Sequence, residues 1–200
     1  MTAPKSIAVV ICSTRPHRIN PFVAGYVASV TQSVPQTTAK VELLDLATLN
    51  LPLYNEPVVP SYLPADDPTP HYQYEYTRAW SALVRKYDGF IFVTPQYNWS
   101  VPSSLKNALD YLFHEWSGKP AAIVTYGARG GIKAENHLRE ILKGLRMNVV
   151  ESTVALKIPR GDAKGVEAEA LMKETWETDG ADEKIKALFA STLEFFRIDA

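Results

Sequence analysis

The sequence has only one cysteine, Cys12, among its 200 residues. That excludes an intrachain disulfide and a cysteine-rich zinc site, and it points to a reducing compartment such as the cytoplasm. It has no surplus of positive charge. Lys+Arg is 21 against Asp+Glu 22, a net charge of -1, so there is no polybasic face to drive binding to a nucleic-acid backbone. Its apolar runs, such as Ile7–Cys12, are strand-sized, well short of the ~20 residues of a membrane span. Met1-Thr2-Ala3-Pro4-Lys5-Ser6 lacks the apolar core of a signal peptide. The expectation is a soluble cytoplasmic protein with neither nucleic-acid nor membrane partners. Several signatures are also missing: G-x-G-x-x-G after the first strand, G-x-x-x-x-G-K-[ST], H-E-x-x-H and G-x-S-x-G. His17, His71, His114 and His137 show no metal-ligand spacing.

What is present is an ordinary globular composition, 46% hydrophobic and 22% charged, and a regular alternation of buried strands with amphipathic helices. Ile7–Cys12, Val41–Leu46, Phe90–Val93, Ala121–Thr125 and Val149–Leu156 read as strands. Asn20 is placed as a helix N-cap with Pro21 at the first helical position, followed by Phe22, Val23, Tyr26, Val27 and Val30 at helical spacing. Further helical stripes run over Tyr72–Tyr87, Leu105–Phe113, Ile132–Leu145 and Ile185–Phe196, and Gly89 is read as a turn. Between Leu51 and Pro70 the prolines at 52, 57, 60, 64, 68 and 70 predict a long surface loop. Strand alternating with helix predicts an α/β fold, a doubly wound five-stranded parallel sheet in three layers. One domain spans residues 1–200, with 162–200 as a C-terminal helical extension.

Ligands of such folds sit beyond the carboxyl ends of the strands, which singles out three loops. Ser13–Asn20 carries hydroxyls and two guanidiniums before a helix N-terminus, equipment for a phosphate dianion or an ordinary polar turn. Thr94–Pro102 offers amides, Gln96, Asn98 and flat aromatic faces. It suits a planar heterocycle, although taken alone a proline-rich turn packed on the core is the stronger reading. Thr125–Gly131 has glycines at 127, 130 and 131, which permit close backbone approach or simply a tight turn. Together the loops describe one mononucleotide. Between the bounds of these loops there is no Asp or Glu, a setting that favours a developing anion.

The loops also carry a resemblance. Cys12-Ser13-Thr14-Arg15-Pro16-His17-Arg18 resembles the G-S-T-R-P-x-R phosphate loop of the NAD(P)H-dependent FMN reductase family. The stretch from Thr94 to Asp110, TPQYNWSVPSSLKNALD, is similar to that family's T-P-E-Y-N-x-S-x-P-x-x-L-K-N-A-x-D signature. Glu115–Pro120 and Tyr126–Gly131 resemble its E-W-x-G-K-P and Y-G-x-x-G-G stretches. Cys12 replaces the usual Gly, and Gln96 the common Glu. The resemblance implies a flavodoxin-like fold, noncovalent FMN, NAD(P)H as co-substrate, and a homodimer or dimer of dimers with flavin sites near the subunit interface. It assigns Ser13, Arg15, Arg18, Ile19 and Asn20 to the FMN phosphate. Pro95, Gln96, Tyr97 and Asn98 line the isoalloxazine ring, with Tyr126, Gly127, Gly130 and Gly131 on its other margin. The flavin carries the redox chemistry, so no residue is assigned as acid or base. The activity implied is hydride transfer from NAD(P)H through FMN to a quinone-like acceptor. The alternative is a nonenzymatic flavoprotein, an electron carrier or redox sensor.

Overall fold

The computed structural model describes residues 4–35, 39–159 and 165–198. Met1–Ala3, and the start of the extension at 162, lie outside the described residues. Six strands form the sheet: β1 (Ser6–Ile11), β2 (Lys40–Asp45), β3 (Gly89–Pro95), β4 (Pro120–Gly127), β5 (Asn148–Val149) and β6 (Val154–Lys157). The order is β2-β1-β3-β4-β5, with β6 also paired to β4, and every pairing is parallel. That is the flavodoxin-like order, whose switch point lies between β1 and β3.

Strand alternation splits the core in two. Ala8, Val10, Phe90, Phe92, Ala121 and Ile123 face one layer, formed by α2 (Glu75–Val84), α3 (Ser103–Asp110) and α4 (Ile132–Gly144). Ile7, Val9, Ile91, Val93, Ala122 and Val124 face the other, formed by α1 (Asn20–Gln32), α5 (Gly165–Thr178) and α6 (Ala181–Ile198). Both faces are buried, which is why these strands read as unbroken apolar runs.

Four expectations change. The last strand is two short ones, and the segment between them is held by α4: Arg139, ion-paired to Glu135 at 2.9 Å, donates to the carbonyls of Val150 (3.2 Å) and Glu151 (2.9 Å). Gly89 is the first residue of β3, not a turn. It is buried, and a Cβ there would lie 3.0 Å from Pro120 Cγ and 3.2 Å from the Phe196 ring. The extension holds two helices, the first anchored by the buried Trp176, whose indole N–H donates to Lys157 O at 2.8 Å. The proline-rich loop is preceded by a 3-10 turn at Leu46–Thr48 and carries two more, at Pro60–Tyr62 and at its end, Thr69–His71. It is clamped to α3, where Asn107 accepts from Tyr54 N–H and donates to Pro52 O, both at 2.8 Å.

Candidate functional site

The carboxyl ends of β1, β2, β3 and β4 are level in register, with Ile11 opposite Asp45 and Val93, and Pro95 opposite Tyr126. The three loops therefore open on one edge of the sheet.

Asn20 organises the first loop, though not as the expected N-cap. Ile19 occupies that position without a side-chain cap. Asn20 itself is completely buried. Its Oδ1 accepts from Ser13 N–H at 2.7 Å, and its Nδ2 donates to Val93 O at 3.0 Å. Both ends of the amide are spent on backbone, so Asn20 buckles the β1 loop to β3 rather than presenting itself to a ligand. Ser13 is buried too, and its hydroxyl lies 2.9 Å from Tyr97 Oη, joining the first loop to the second. The exposed Arg15 lays its guanidinium over the Tyr97 ring, 5.3 Å from the centroid. Ile19 is 40% exposed at the helix start.

Arg18 forms an ion pair with Asp45 and donates to Arg15 O at 3.4 Å, while its buried Nε has no partner. Asp45 is the carboxylate that inspecting the three loops alone does not reveal. It ends β2, and the parallel register puts it beside the β1 loop. The mouth is therefore less positive than the loop sequences suggest.

The second loop is a two-residue hairpin. Tyr97 and Ser100 exchange N–H···O bonds of 2.9 Å, and Asn98 and Trp99 both have positive φ, 48° and 66°. Such a turn needs φ > 0 at both central residues, which Asn tolerates and Trp does not. Gln96 faces sideways: its Oε1 accepts from Lys133 N–H (2.9 Å) and Ala134 N–H (3.4 Å). It thus caps α4, which Gly131, at φ 90°, cannot cap for itself. Ser100 Oγ lies 2.9 Å from His137 Nδ1, a second tie to α4.

In the third loop Thr125 Oγ1 donates to Gly130 O at 2.7 Å. Gly130 and Gly131 are required: φ is 78° and 90°, and a Cβ would fall 2.9 Å from Ala155 Cβ and 3.1 Å from Thr125 Cβ respectively. Gly127 is not required in the same way: a Cβ there would make only ordinary contact, with Gly131 N at 3.9 Å. The Tyr126 side chain is buried, 4% exposed. Alternation along β4 buries it with Ala122 and Val124, and burial pushes its phenol pKa up. Pro95, also buried, ends β3.

The donor set fits a mononucleotide phosphate. α1 has no acidic residue in its first turn, leaving its positive end free for an anion. The backbone N–H groups of Thr14, His17 and Arg18 have no partner among the described residues. The orphaned Arg18 Nε and the carboxylate-free Arg15 complete it. A polar pocket of about 270 Å³ adjoins the loop, lined by Thr14, Asn50, Ser104 and Asn107 among others. A larger groove of about 520 Å³ lies between Glu151 and α6, toward the amino-terminal end of β4 and away from the loops.

Comparison with known proteins decides the family. Residues 6–159 match the model of the NADPH-dependent FMN reductase family. This chain belongs to that family. An NAD(P)H-dependent FMN reductase of Saccharomyces cerevisiae is 41% identical over 160 residues, covering 78% of this chain and 82% of its own. A quinone reductase of Pseudomonas putida is 34% identical over 154 residues, 74% of each chain. Among solved structures, the flavoenzyme NAD(P)H:(acceptor) oxidoreductase FerB of Paracoccus denitrificans superposes with a TM-score of 0.62 at 21% identity. It covers 92% of this chain and 98% of its own, a likeness of fold. Membership makes this FMN reductase homologue an FMN-dependent oxidoreductase drawing on NAD(P)H, and the relatives favour an enzyme over a nonenzymatic carrier. Among the described residues no helix is long and apolar enough to cross a membrane.

Proposed function

We propose that this protein binds FMN noncovalently across the three loops and passes hydride equivalents from NAD(P)H to a quinone-like acceptor in the cytoplasm. The whole chain acts as one flavin-binding unit. The observation that carries the reading is the Asn20-buckled loop, which leaves unpartnered backbone N–H groups and the orphaned Arg18 Nε in the segment just before the positive end of α1. When bound, FMN supplies the hydride-accepting and hydride-donating chemistry.

The chain's own residues bind and orient. Ser13, Arg15, Arg18 and the Ile19–Asn20 helix start take the phosphate. Arg18 is held in place by Asp45, and Ser13 by Tyr97. Pro95, Gln96, Tyr97 and Asn98 supply backbone along one margin of the ring, and Gly127, Gly130, Gly131 and the Tyr126 backbone the other. Gln96 keeps the two margins at a fixed spacing through its cap on α4.

Arg15→Ala is expected to weaken FMN binding by ~1.5–3 kcal/mol, the worth of a charge-assisted bond. Arg15 has no carboxylate to lose, since its contact is the Tyr97 ring, so the fold should be unaffected. Fluorescence titration with FMN measures this, and unchanged affinity would remove Arg15 from the site.

We further propose a homodimer or dimer of dimers. Tyr111 and Trp116, the aromatics that follow the second loop in sequence, do not supply its interface: they are core residues, 0% and 1% exposed. The supporting surface is instead the proline-rich loop, where Leu53 is 85% and Tyr62 81% exposed, near the half-exposed Val58 and Val59. Light scattering should give at least twice the 22.2 kDa chain mass, and Leu53→Asp with Tyr62→Asp should lower it. A monomer with full activity defeats the proposal.

A further inference from the structure

Trp99 differs from the other three tryptophans. Trp80, Trp116 and Trp176 are at most 2% exposed, whereas Trp99 is 70% exposed. It also sits at φ 66°, a conformation that disfavours any residue with a Cβ. A large aromatic held in a strained turn and left in solvent gains nothing for the fold, and strain of this kind marks functional positions. The turn is not loose. Its base is closed by the Tyr97–Ser100 pair, and it is tied to α4 by Gln96 and by His137.

One face of the indole is taken by Lys133, whose Nζ lies 5.3 Å from the ring centroid. Lys133 has no carboxylate partner among the described residues, and neither does Arg129, four residues earlier at the entrance to α4. Both are exposed. The helix end between them is capped by a neutral amide, Gln96, and the one acidic residue of its first turn, Glu135, is buried and paired to Arg139 rather than to either cation. The rim of the proposed flavin site thus carries a flat aromatic face beside two unpaired cations. A quinone, neutral and compact, has no use for the cations. A ligand with a planar heterocycle and an attached phosphate uses both.

We infer that Trp99, Lys133 and Arg129 form the recognition site for the adenosine 2′-phosphate end of NADPH. The adenine stacks on the Trp99 face, and the 2′-phosphate meets Lys133 and Arg129, giving preference for NADPH over NADH. This rests on the hydride-transfer reading above and deepens it. Trp99, Lys133 and Arg129 act as specificity determinants.

Two measurements test it. In Lys133→Gln and Arg129→Gln, the ratio of kcat/KM for NADPH to that for NADH should fall about tenfold or more, because only the 2′-phosphate loses a charged partner. Trp99→Gly, which relieves the backbone, should lower kcat/KM through KM, and Trp99→Tyr should restore much of it. Independently of turnover, acrylamide quenching of tryptophan fluorescence reports mainly Trp99, the others being buried. Adenosine 2′,5′-bisphosphate should shield it better than 5′-AMP in wild type, and the difference should vanish in Lys133→Gln. A nucleotide ratio within about twofold of wild type in both cation variants, or equal shielding by the two adenosine phosphates, overturns the inference. So does a Trp99 that acrylamide cannot reach in the free protein, which would place it in a subunit contact. Failure of the hydride reading looks different: wild type would oxidise neither nucleotide, while the shielding experiment still decides this site.

Discussion

Asn20→Asp is expected to lower the melting temperature by roughly 6–12 °C and to weaken FMN binding at least tenfold at neutral pH. Asn20 is fully buried and uses one end of its amide as acceptor and the other as donor. The substitution keeps the shape and the bond from Ser13 N–H, but turns a carboxylate oxygen against Val93 O. A buried charge facing a carbonyl costs on the order of 3 kcal/mol or more, and in a chain of this size each kcal/mol moves Tm by ~2–4 °C. The loop that presents the phosphate donors moves with it. Acidification should recover part of the loss, because a protonated carboxyl again donates to Val93 O. The sign follows from linkage: the buried group takes up a proton more readily folded than unfolded, so the variant gains stability relative to wild type as pH falls through its raised folded pKa. Thermal melts and FMN titrations at two pH values measure this. A variant indistinguishable from wild type would mean that Asn20 does not hold the loop.

Glu115→Leu should be as damaging to the fold and should leave FMN affinity alone. Glu115 is 3% exposed. Its carboxylate accepts from Ser81 Oγ at 2.6 Å, from Tyr72 Oη at 3.0 and 3.2 Å, and from Phe113 N–H at 3.3 Å. It thereby ties α2 and its approach to the segment after α3, which leads into the amino-terminal end of β4, whereas the flavin loops lie at the strands' carboxyl ends. Leucine fills the volume but strands those neutral donors, and a buried donor left unpaired costs ~1–3 kcal/mol each. Denaturant unfolding should show that loss, while the folded fraction binds FMN as wild type does. A drop in flavin affinity with stability intact would assign Glu115 to the site instead.

The same two residues show what is legible in the sequence. The strands are, because a parallel sheet covered on both faces forces continuous apolar runs, and the parallel pairing follows from crossover rules. The three loops are legible for the same reason. Side-chain direction inside them is not. Asn20 reads as a cap because Asn before Pro usually is one, yet tertiary contacts with Ser13 and Val93 win. Tyr126 reads as a ring contact, but the alternation of β4 points it into the core. Asp45 is invisible to inspection of the loops, although the register of β2 against β1 places it at the rim. Gln96 reads as a lost charge. Its work, capping a helix 37 residues away in sequence, has no local signal. Glu115, inside a family-like stretch, belongs to the packing.

The central claim is that the three loops bind FMN and that the bound flavin relays hydride. The most direct test is anaerobic spectrophotometry of the purified protein with one equivalent of FMN. The flavin absorbance should stay with the protein on gel filtration, bleach on addition of NADPH, and return in full when a benzoquinone is added. A flavin that elutes free of the protein, or one that stays bound yet is not bleached by NADPH or NADH, would contradict the account.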